Sequence, residues 1–269
     1  MRRAQAFAKI NLGLVVGPLR EDGKHEVATV LQRVDLADEI GLEPADALTI
    51  VGFDDDTLVR GALEALAGNV GLAPSWRVRI CKRIPVAAGL GGGSSDAACA
   101  LALANAELHE PVSPPALHAI AAAIGADVPF FLREGAQLAT RDGTELAAVD
   151  LRTEYVVVLV VPRLQAKGST AAIYRSFDTR NGAVGFDERR AALLYVLTRV
   201  EHARDLALLP RNDLASSPLA DELEDLGAFR ADVTGAGPAV YGLFERAADA
   251  ERAVAVVSRA GTSWLARPV

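Results

Sequence analysis

Residues 85–98, Pro85-Val86-Ala87-Ala88-Gly89-Leu90-Gly91-Gly92-Gly93-Ser94-Ser95-Asp96-Ala97-Ala98, limit what this chain can fold into more than any other segment. Four of the five positions from Gly89 to Gly93 are glycine. Glycine gives up the most conformational freedom on folding, so such a cluster belongs where another group must approach the backbone closely. The pattern predicts an alanine-rich helix over residues 95–108, opened by Ser94, Ser95 and Asp96. A helix N-terminus leaves N–H donors and about half a unit of positive charge, which suits a phosphate. The competing reading is a tight strand-to-helix connection, for which four glycines and two serines are more than the geometry asks. A P-loop would carry lysine where Ser94 stands, and a dinucleotide fingerprint would run straight from a strand into the glycines, whereas residues 82–85 intervene. Glu107 lies near the distance of a ribose-binding acid, so spacing alone leaves that version open.

An anionic ligand has to be held locally, because the chain is acidic, with 35 Asp and Glu against 28 Lys and Arg and a formal charge of −7. That balance disfavours a nucleic-acid binder, which needs a basic footprint. With 269 residues, 51% hydrophobic and 23% charged, the chain is globular and fills one large or two ordinary domains. Cys81 and Cys99 are too few for a disulfide framework or a four-cysteine zinc site and suit a reducing compartment. The longest apolar run, residues 156–161, is far shorter than the roughly 20 residues of a spanning helix. Lys9 and Asn11 interrupt the stretch that would make Arg2 and Arg3 the start of a signal peptide. The expectation is a cytoplasmic protein, monomer or homodimer, with a small-molecule partner and neither nucleic acid nor membrane.

The apolar pattern predicts strands over residues 5–16, 25–35, 39–42 and 48–53, forming an antiparallel opening sheet around a polar turn at 20–23. Asp54, Asp55 and Asp56 are read as the cap of a helix over 58–66 that Gly68 ends. Trp76, Val78 and Ile80 alternate with Arg77, Arg79 and Lys82 as a half-buried strand. Ser113 caps a helix that Pro114 and Pro115 open and Gly125 closes. Further on, a strand is expected over 155–161, helices over 169–177, 189–200, 219–226 and 248–260, and strands over 231–234 and 239–244 around a second glycine turn. The class is α+β, with a boundary near Asp150.

Two further residues attract chemistry. On a period-two strand Phe7, Lys9, Asn11 and Gly13 share a face, placing an ammonium beside an amide in an otherwise apolar segment. Lysine is scarce, four against 24 arginines, yet a surface lysine on an edge strand would look the same. Asp127 follows Gly125-Ala126 and precedes Val128-Pro129-Phe130-Phe131. Pro129 is expected to keep Val128 out of helical geometry and fix the aspartate in a rigid turn. Among apolar neighbours the carboxylate needs a partner; the plainer alternative is a cap for the next turn.

Several segments taken together, in this order, resemble the GHMP kinases over almost the whole chain. They are Ala8-Lys9-Ile10-Asn11-Leu12, Asp22-Gly23-Lys24-His25, residues 85–98, Gly125-Ala126-Asp127-Val128-Pro129, Thr170 to Tyr174, Asn212-Asp213-Leu214, and Thr234-Gly235-Ala236-Gly237-Pro238-Ala239-Val240-Tyr241. The long glycine loop before the two serines is similar to that of the branch acting on a cytidine-diphosphate-linked methylerythritol.

The resemblance implies a two-lobed fold, with an ATP-binding lobe like domain 2 of ribosomal protein S5 over 1–150 and a ferredoxin-like lobe over 151–269. It implies transfer of the ATP γ-phosphate, with Mg2+, to the 2-hydroxyl of that substrate in non-mevalonate isoprenoid synthesis. By motif, Asp127 is the base and Lys9 the cation beside it. Pro85, Ala87, Ala88, Gly89, Leu90, Gly91, Gly92, Gly93, Ser94 and Ser95 hold ATP, with Ser95 the best oxygen for Mg2+. Asn11, Lys24, His25, Asp127, Thr170, Tyr174, Gly235, Ala236 and Gly237 face the acceptor, His25 at the cytosine edge and Tyr174 stacked on its ring. The family usually has tyrosine before that histidine, and this chain has Lys24. The rival readings are a sister kinase of another small alcohol, an ATP-binding regulator without catalysis, and an RNA-binding module built on the S5-like lobe.

Overall fold

The structure, a computed structural model, describes residues 1–53, 56–163 and 169–269. Two long strands open it, β1 (Arg2–Leu19) and β2 (His25–Pro44), which pair with each other. The sequence pattern divides β2 into two strands at the polar segment around Asp38, but it runs as one strand of 20 residues. The reason is that Asp38 is satisfied inside the protein: its carboxylate accepts from the backbone N–H groups of Arg83 and Ile84 and from Lys82. A paired buried carboxylate gives the chain no cause to turn to solvent.

The chain divides into two compact units, each discontinuous in sequence. The first comprises Met1–Ala8, Leu36–Val86 and Gly91–Glu134. Here the second half of β2 pairs antiparallel with β4 (Trp76–Cys81), Glu39 opposite Cys81 and Pro44 opposite Trp76. β4 buries Trp76, Val78 and Ile80 and exposes Arg77, Arg79 and Cys81, as the alternation requires. β3 (Thr49–Val51) pairs with β4 in parallel, not in the antiparallel sense expected of the opening strands. The reason is α1 (Thr57–Asn69), which carries the chain back as a crossover between them. Asp56 caps α1 by accepting from Val59 N–H at 2.6 Å; Asp54 and Asp55 lie outside the described residues. α1 packs with α2 (Gly92–Asn105), α3 (Pro114–Ile124) and α4 (Val128–Phe131) around a core that includes Leu63, Leu66, Val78, Leu101 and Val128.

The second unit comprises Lys9–Asp35, Ala87–Leu90 and Gly135–Val269. The first half of β2 pairs antiparallel with β5 (Ala136–Arg141), which forms a hairpin with β6 (Glu145–Val149). Next come β7 (Val156–Pro162), α5 (Thr170–Thr179), α6 (Phe186–Leu197), a 3-10 segment over Ala203–Leu208, α7 (Pro218–Asp225), β8 (Arg230–Val233), β9 (Val240–Phe244), α8 (Ala247–Val257) and β10 (Gly261–Ala266). Their antiparallel sheet has the order β10-β7-β9-β8, and β7-α7-β8-β9-α8-β10 is the ferredoxin-like βαββαβ arrangement. One face packs Val156, Val158, Val160, Val233 and Phe244 against Leu223, Ala250, Ala253 and Val257.

Candidate active site

In the second unit, residues 87–90 are bound tightly to the turn after β8. Ala87 and Gly89 have left-handed φ values of 58° and 85°. A Cβ on Gly89 would stand 2.4 Å from the Thr234 carbonyl oxygen, so only glycine fits there. The Ala88 carbonyl accepts from Ala239 N–H at 3.0 Å and the Leu90 carbonyl from Lys9 N–H at 2.9 Å.

In the first unit, Gly91 at φ 73° is the N-cap of α2. The helix starts at Gly92, three residues ahead of the expected start at Ser95. Ser95 N–H is already bonded to the Gly91 carbonyl at 2.9 Å. The N–H groups that helix geometry leaves for a phosphate are therefore those of Gly92, Gly93 and Ser94. Ser95 itself is 2% exposed.

Beneath this N-terminus lies a charge cluster that sequence reasoning missed. Lys82 Nζ donates to Asp38 Oδ2 at 2.6 Å and to Asp96 Oδ2 at 2.7 Å, and both carboxylates are completely enclosed. The same nitrogen would be 3.3 Å from a Cβ on Gly92, and Ile84 Cγ2 would be 3.0 Å away. A side chain at 92 would thus crowd Ile84 and Lys82. Burial, with Asp38 adding like charge, outweighs the Lys82 bond and pushes the Asp96 carboxyl up to about 8. Asp96 Oδ1 has no hydrogen-bond partner among the described residues. Lys82 moves upward despite its burial, because Asp38 and Asp96 both bond to it.

Asp127, half buried, is also in the first unit, at the N-cap of α4. Val128 is the first residue of that helix, contrary to the expected non-helical turn. Pro129 falls in the first turn, where its missing N–H removes no bond, and a four-residue helix absorbs its restriction on Val128. The Asp127 side chain makes no capping hydrogen bond, so the plain capping role is not what it performs.

Lys9, in the second unit, is 3% exposed, and its Nζ donates to Asn11 Oδ1 at 2.6 Å. The shared strand face deduced from spacing is therefore a direct contact. Asn11 Nδ2 donates to Thr29 Oγ1 at 2.8 Å, and Thr29 donates to the Gly13 carbonyl. Thr234 Oγ1 accepts from Asn11 N–H and lies 3.1 Å from Asn11 Oδ1. Gly235, at φ 58°, comes close enough that an added Cβ would be 3.3 Å from Lys9 Nζ. Gly237 N–H bonds the Thr234 carbonyl at 3.0 Å, closing the turn with Ala236 between them. Asn212 Nδ2 holds the Val233 and Gly235 carbonyls at 2.8 and 2.7 Å, and its own N–H is taken by Asp232. Arg230, 1% exposed, anchors this region by donating to the Leu209 and Pro210 carbonyls and to Tyr241 Oη.

A second cluster in the same unit surrounds His25. Its Nε2 lies 2.8 Å from Asp178 Oδ1. Tyr174 stands over the imidazole at a centroid distance of 4.8 Å and 32°, and Phe177 meets it edge-on at 5.9 Å. Tyr174 and Asp178 are four residues apart on α5, hence on one face; that spacing is the signal that could have revealed Asp178. Thr170 is the exposed first residue of α5. Lys24 Nζ is paired with Asp142 at 2.6 Å. Burial would raise the Asp142 carboxyl, but the bonds from Lys24 and Thr144 outweigh it and bring it to about 2. Among the described residues, no group of three or more His, Cys, Asp or Glu could hold a metal ion, and no helix is long and apolar enough to cross a membrane.

The family model of the GHMP kinases N terminal domain matches residues 57–135, and that of the GHMP kinases C terminal domain matches residues 206–263. The chain is 37% identical over 276 residues to a 4-diphosphocytidyl-2-C-methyl-D-erythritol kinase of Salinispora tropica, covering 95% of this chain and 87% of that one. It is 36% identical over 267 residues to the kinase of the same name from Chlorobium phaeobacteroides, covering 93% and 91%. A crystal structure of 4-(cytidine 5'-diphospho)-2C-methyl-D-erythritol kinase superposes with a TM-score of 0.80 at 30% identity, covering 99% of both chains. With relatives of this similarity along nearly its full length, the chain belongs to the GHMP kinases.

Proposed function

We propose that the chain is an ATP-dependent kinase that phosphorylates the 2-hydroxyl of 4-diphosphocytidyl-2-C-methyl-D-erythritol in the non-mevalonate route to isoprenoids. The observation that carries this reading is 37% identity to a kinase of that name over 95% of the chain. Phosphoryl transfer asks a protein mainly for positioning and for stabilisation of spread negative charge. Gly92, Gly93 and Ser94 supply backbone donors at the start of α2, and residues 85–95 hold the ATP phosphates. Asp127 accepts the proton of the attacking hydroxyl, and Lys9 is the cation that lowers the cost of charge building on the attacking oxygen. The bond from Lys9 to Asn11 and the close passage of Gly235 hold that ammonium in one place. Asn11, Lys24, His25, Thr170, Tyr174 and the turn Gly235-Ala236-Gly237 contact the acceptor, His25 and Tyr174 at its cytosine.

Ser95 is the protein oxygen that would be offered to a magnesium ion accompanying ATP, and such an ion would screen the phosphate charge. The N-terminal lobe takes residues 1–150 and the C-terminal lobe 151–269, consistent with family matches on either side of that boundary. A cytoplasmic monomer or homodimer is the setting this reading implies. One observation favours a sister kinase of another alcohol: Lys24 stands where the aromatic is usual and is engaged with Asp142. The two are separated by measuring ADP release with ATP, Mg2+ and a panel of acceptors. The cytidine-linked substrate should exceed mevalonate, homoserine and galactose by far, and equal turnover with any of them would overturn the substrate assignment.

A further inference from the structure

His25, the first residue of β2, is 9% exposed, and its ring is fixed on three sides. Tyr174 covers one face, the fully buried Phe177 meets it edge-on, and Asp178 takes Nε2 at 2.8 Å. An ionised carboxylate can only accept, so the Nε2 position carries the hydrogen. A neutral imidazole has one donor and one acceptor, and Nδ1 is then the acceptor. Among the described residues Nδ1 has no hydrogen-bond partner, and it is not among the enclosed unpaired polar atoms, so it keeps access to the surface. The result is a single, rigidly aimed acceptor beside an aromatic platform.

Resting on the function proposed above, we propose that Asp178 is a positioning residue which, by fixing the His25 tautomer, makes the acceptor site select cytosine over uracil. The two bases differ at the 4-position, where cytosine carries an amino donor and uracil a carbonyl acceptor. An Nδ1 acceptor matches the amino group. Against uracil it faces another lone pair, and a polar group left unmatched in a desolvated site is discriminated against by about 10- to 100-fold. Asp178 does not touch the reacting atoms; it acts only through the imidazole. The Asp178 side chain is 49% exposed, so replacing it opens no buried cavity.

Two measurements test it. The first uses 15N chemical shifts of the His25 ring nitrogens in the whole protein without substrate, at pH 7.5. The Nε2–H tautomer is expected in the wild type and a mixed population in Asp178→Asn; an Nδ1–H tautomer or an imidazolium in the wild type would overturn the inference. The second compares kcat/KM for the cytidine-diphosphate substrate and its uridine counterpart. The wild type should favour cytidine about 10- to 100-fold, mainly through KM. Asp178→Asn and Asp178→Ala should bring the two within a few-fold, Asp178→Glu should restore the preference, and the KM for ATP should not move. Unchanged discrimination in both Asn and Ala variants, with the cytidine substrate still turned over, refutes the role of Asp178 alone. Failure of the wild type to phosphorylate either nucleotide substrate, with another alcohol accepted, refutes the function reading instead.

Discussion

The buried cluster under the glycine loop makes a pH-dependent contribution to stability that can be isolated at one atom. Asp96 is completely enclosed, and burial, together with the charge of Asp38, raises its carboxyl to about 8. In the unfolded chain it titrates near its ordinary value of 3.8. Between these values the folded protein holds a proton that the unfolded chain has released. The contribution is therefore fully present below the unfolded value and is lost as pH rises through the folded one. The slope approaches about 1.4 kcal/mol per pH unit, so roughly 2 kcal/mol disappears between pH 6 and pH 8. Asp96→Asn keeps an oxygen for Lys82 and removes the titration. Trp76, buried in the core of the first unit, reports unfolding there once Trp264 is replaced by phenylalanine. In urea titrations at pH 6, 7 and 8, the Asp96→Asn protein should lack this decline and should equal or exceed its parent at pH 8. Parallel pH profiles for the two proteins would show that Asp96 titrates in the fold as it does in the unfolded chain.

Asp127→Asn should lower kcat by about 10²–10⁴-fold with ATP affinity nearly unchanged, measured by ADP release and calorimetry, because the hydroxyl proton loses its acceptor; near-normal kcat in the folded variant refutes the assignment. Gly89→Ala places a Cβ 2.4 Å from the Thr234 carbonyl at φ 85°. Strain of about 1–3 kcal/mol, relieved by unseating the loop, should weaken ATP binding roughly 5- to 150-fold by calorimetry. Arg230→Met leaves Asp232 and the Leu209 and Pro210 carbonyls without their buried cation. It should destabilise the second unit by about 3–5 kcal/mol in chemical denaturation, and a loss below about 1 kcal/mol would show that water replaces the guanidinium.

What could be read from the sequence was whatever a short period or a local residue type dictates. The alternation of Trp76, Val78 and Ile80 became β4, the spacing of Lys9 and Asn11 became a contact, and the glycine cluster became a left-handed loop entering a helix. Interactions closed over long sequence distances left no such mark. Asp38 looked like a break because nothing local shows that residues 82–84 return to satisfy it. Asp96 read as one of several polar residues opening a helix, and Arg230 fell just outside the strand expected over 231–234, although each is buried by partners far along the chain. β10 has a mixed pattern, half exposed, whose strand character comes from pairing with β7. Asp178 lay within reach, four residues after Tyr174, but only the fold of β2 brings His25 to it.

The reaction proposed for this kinase is phosphoryl transfer to one hydroxyl of one nucleotide-linked polyol. The most direct measurement is 31P NMR of a reaction containing the wild-type protein, ATP, Mg2+ and 4-diphosphocytidyl-2-C-methyl-D-erythritol. A new phosphomonoester coupled to the methylerythritol skeleton at the 2-position is expected, appearing in equal amount with ADP, while the diphosphate resonances of the acceptor persist. ADP formed without that ester, or an ester on another hydroxyl, would contradict it.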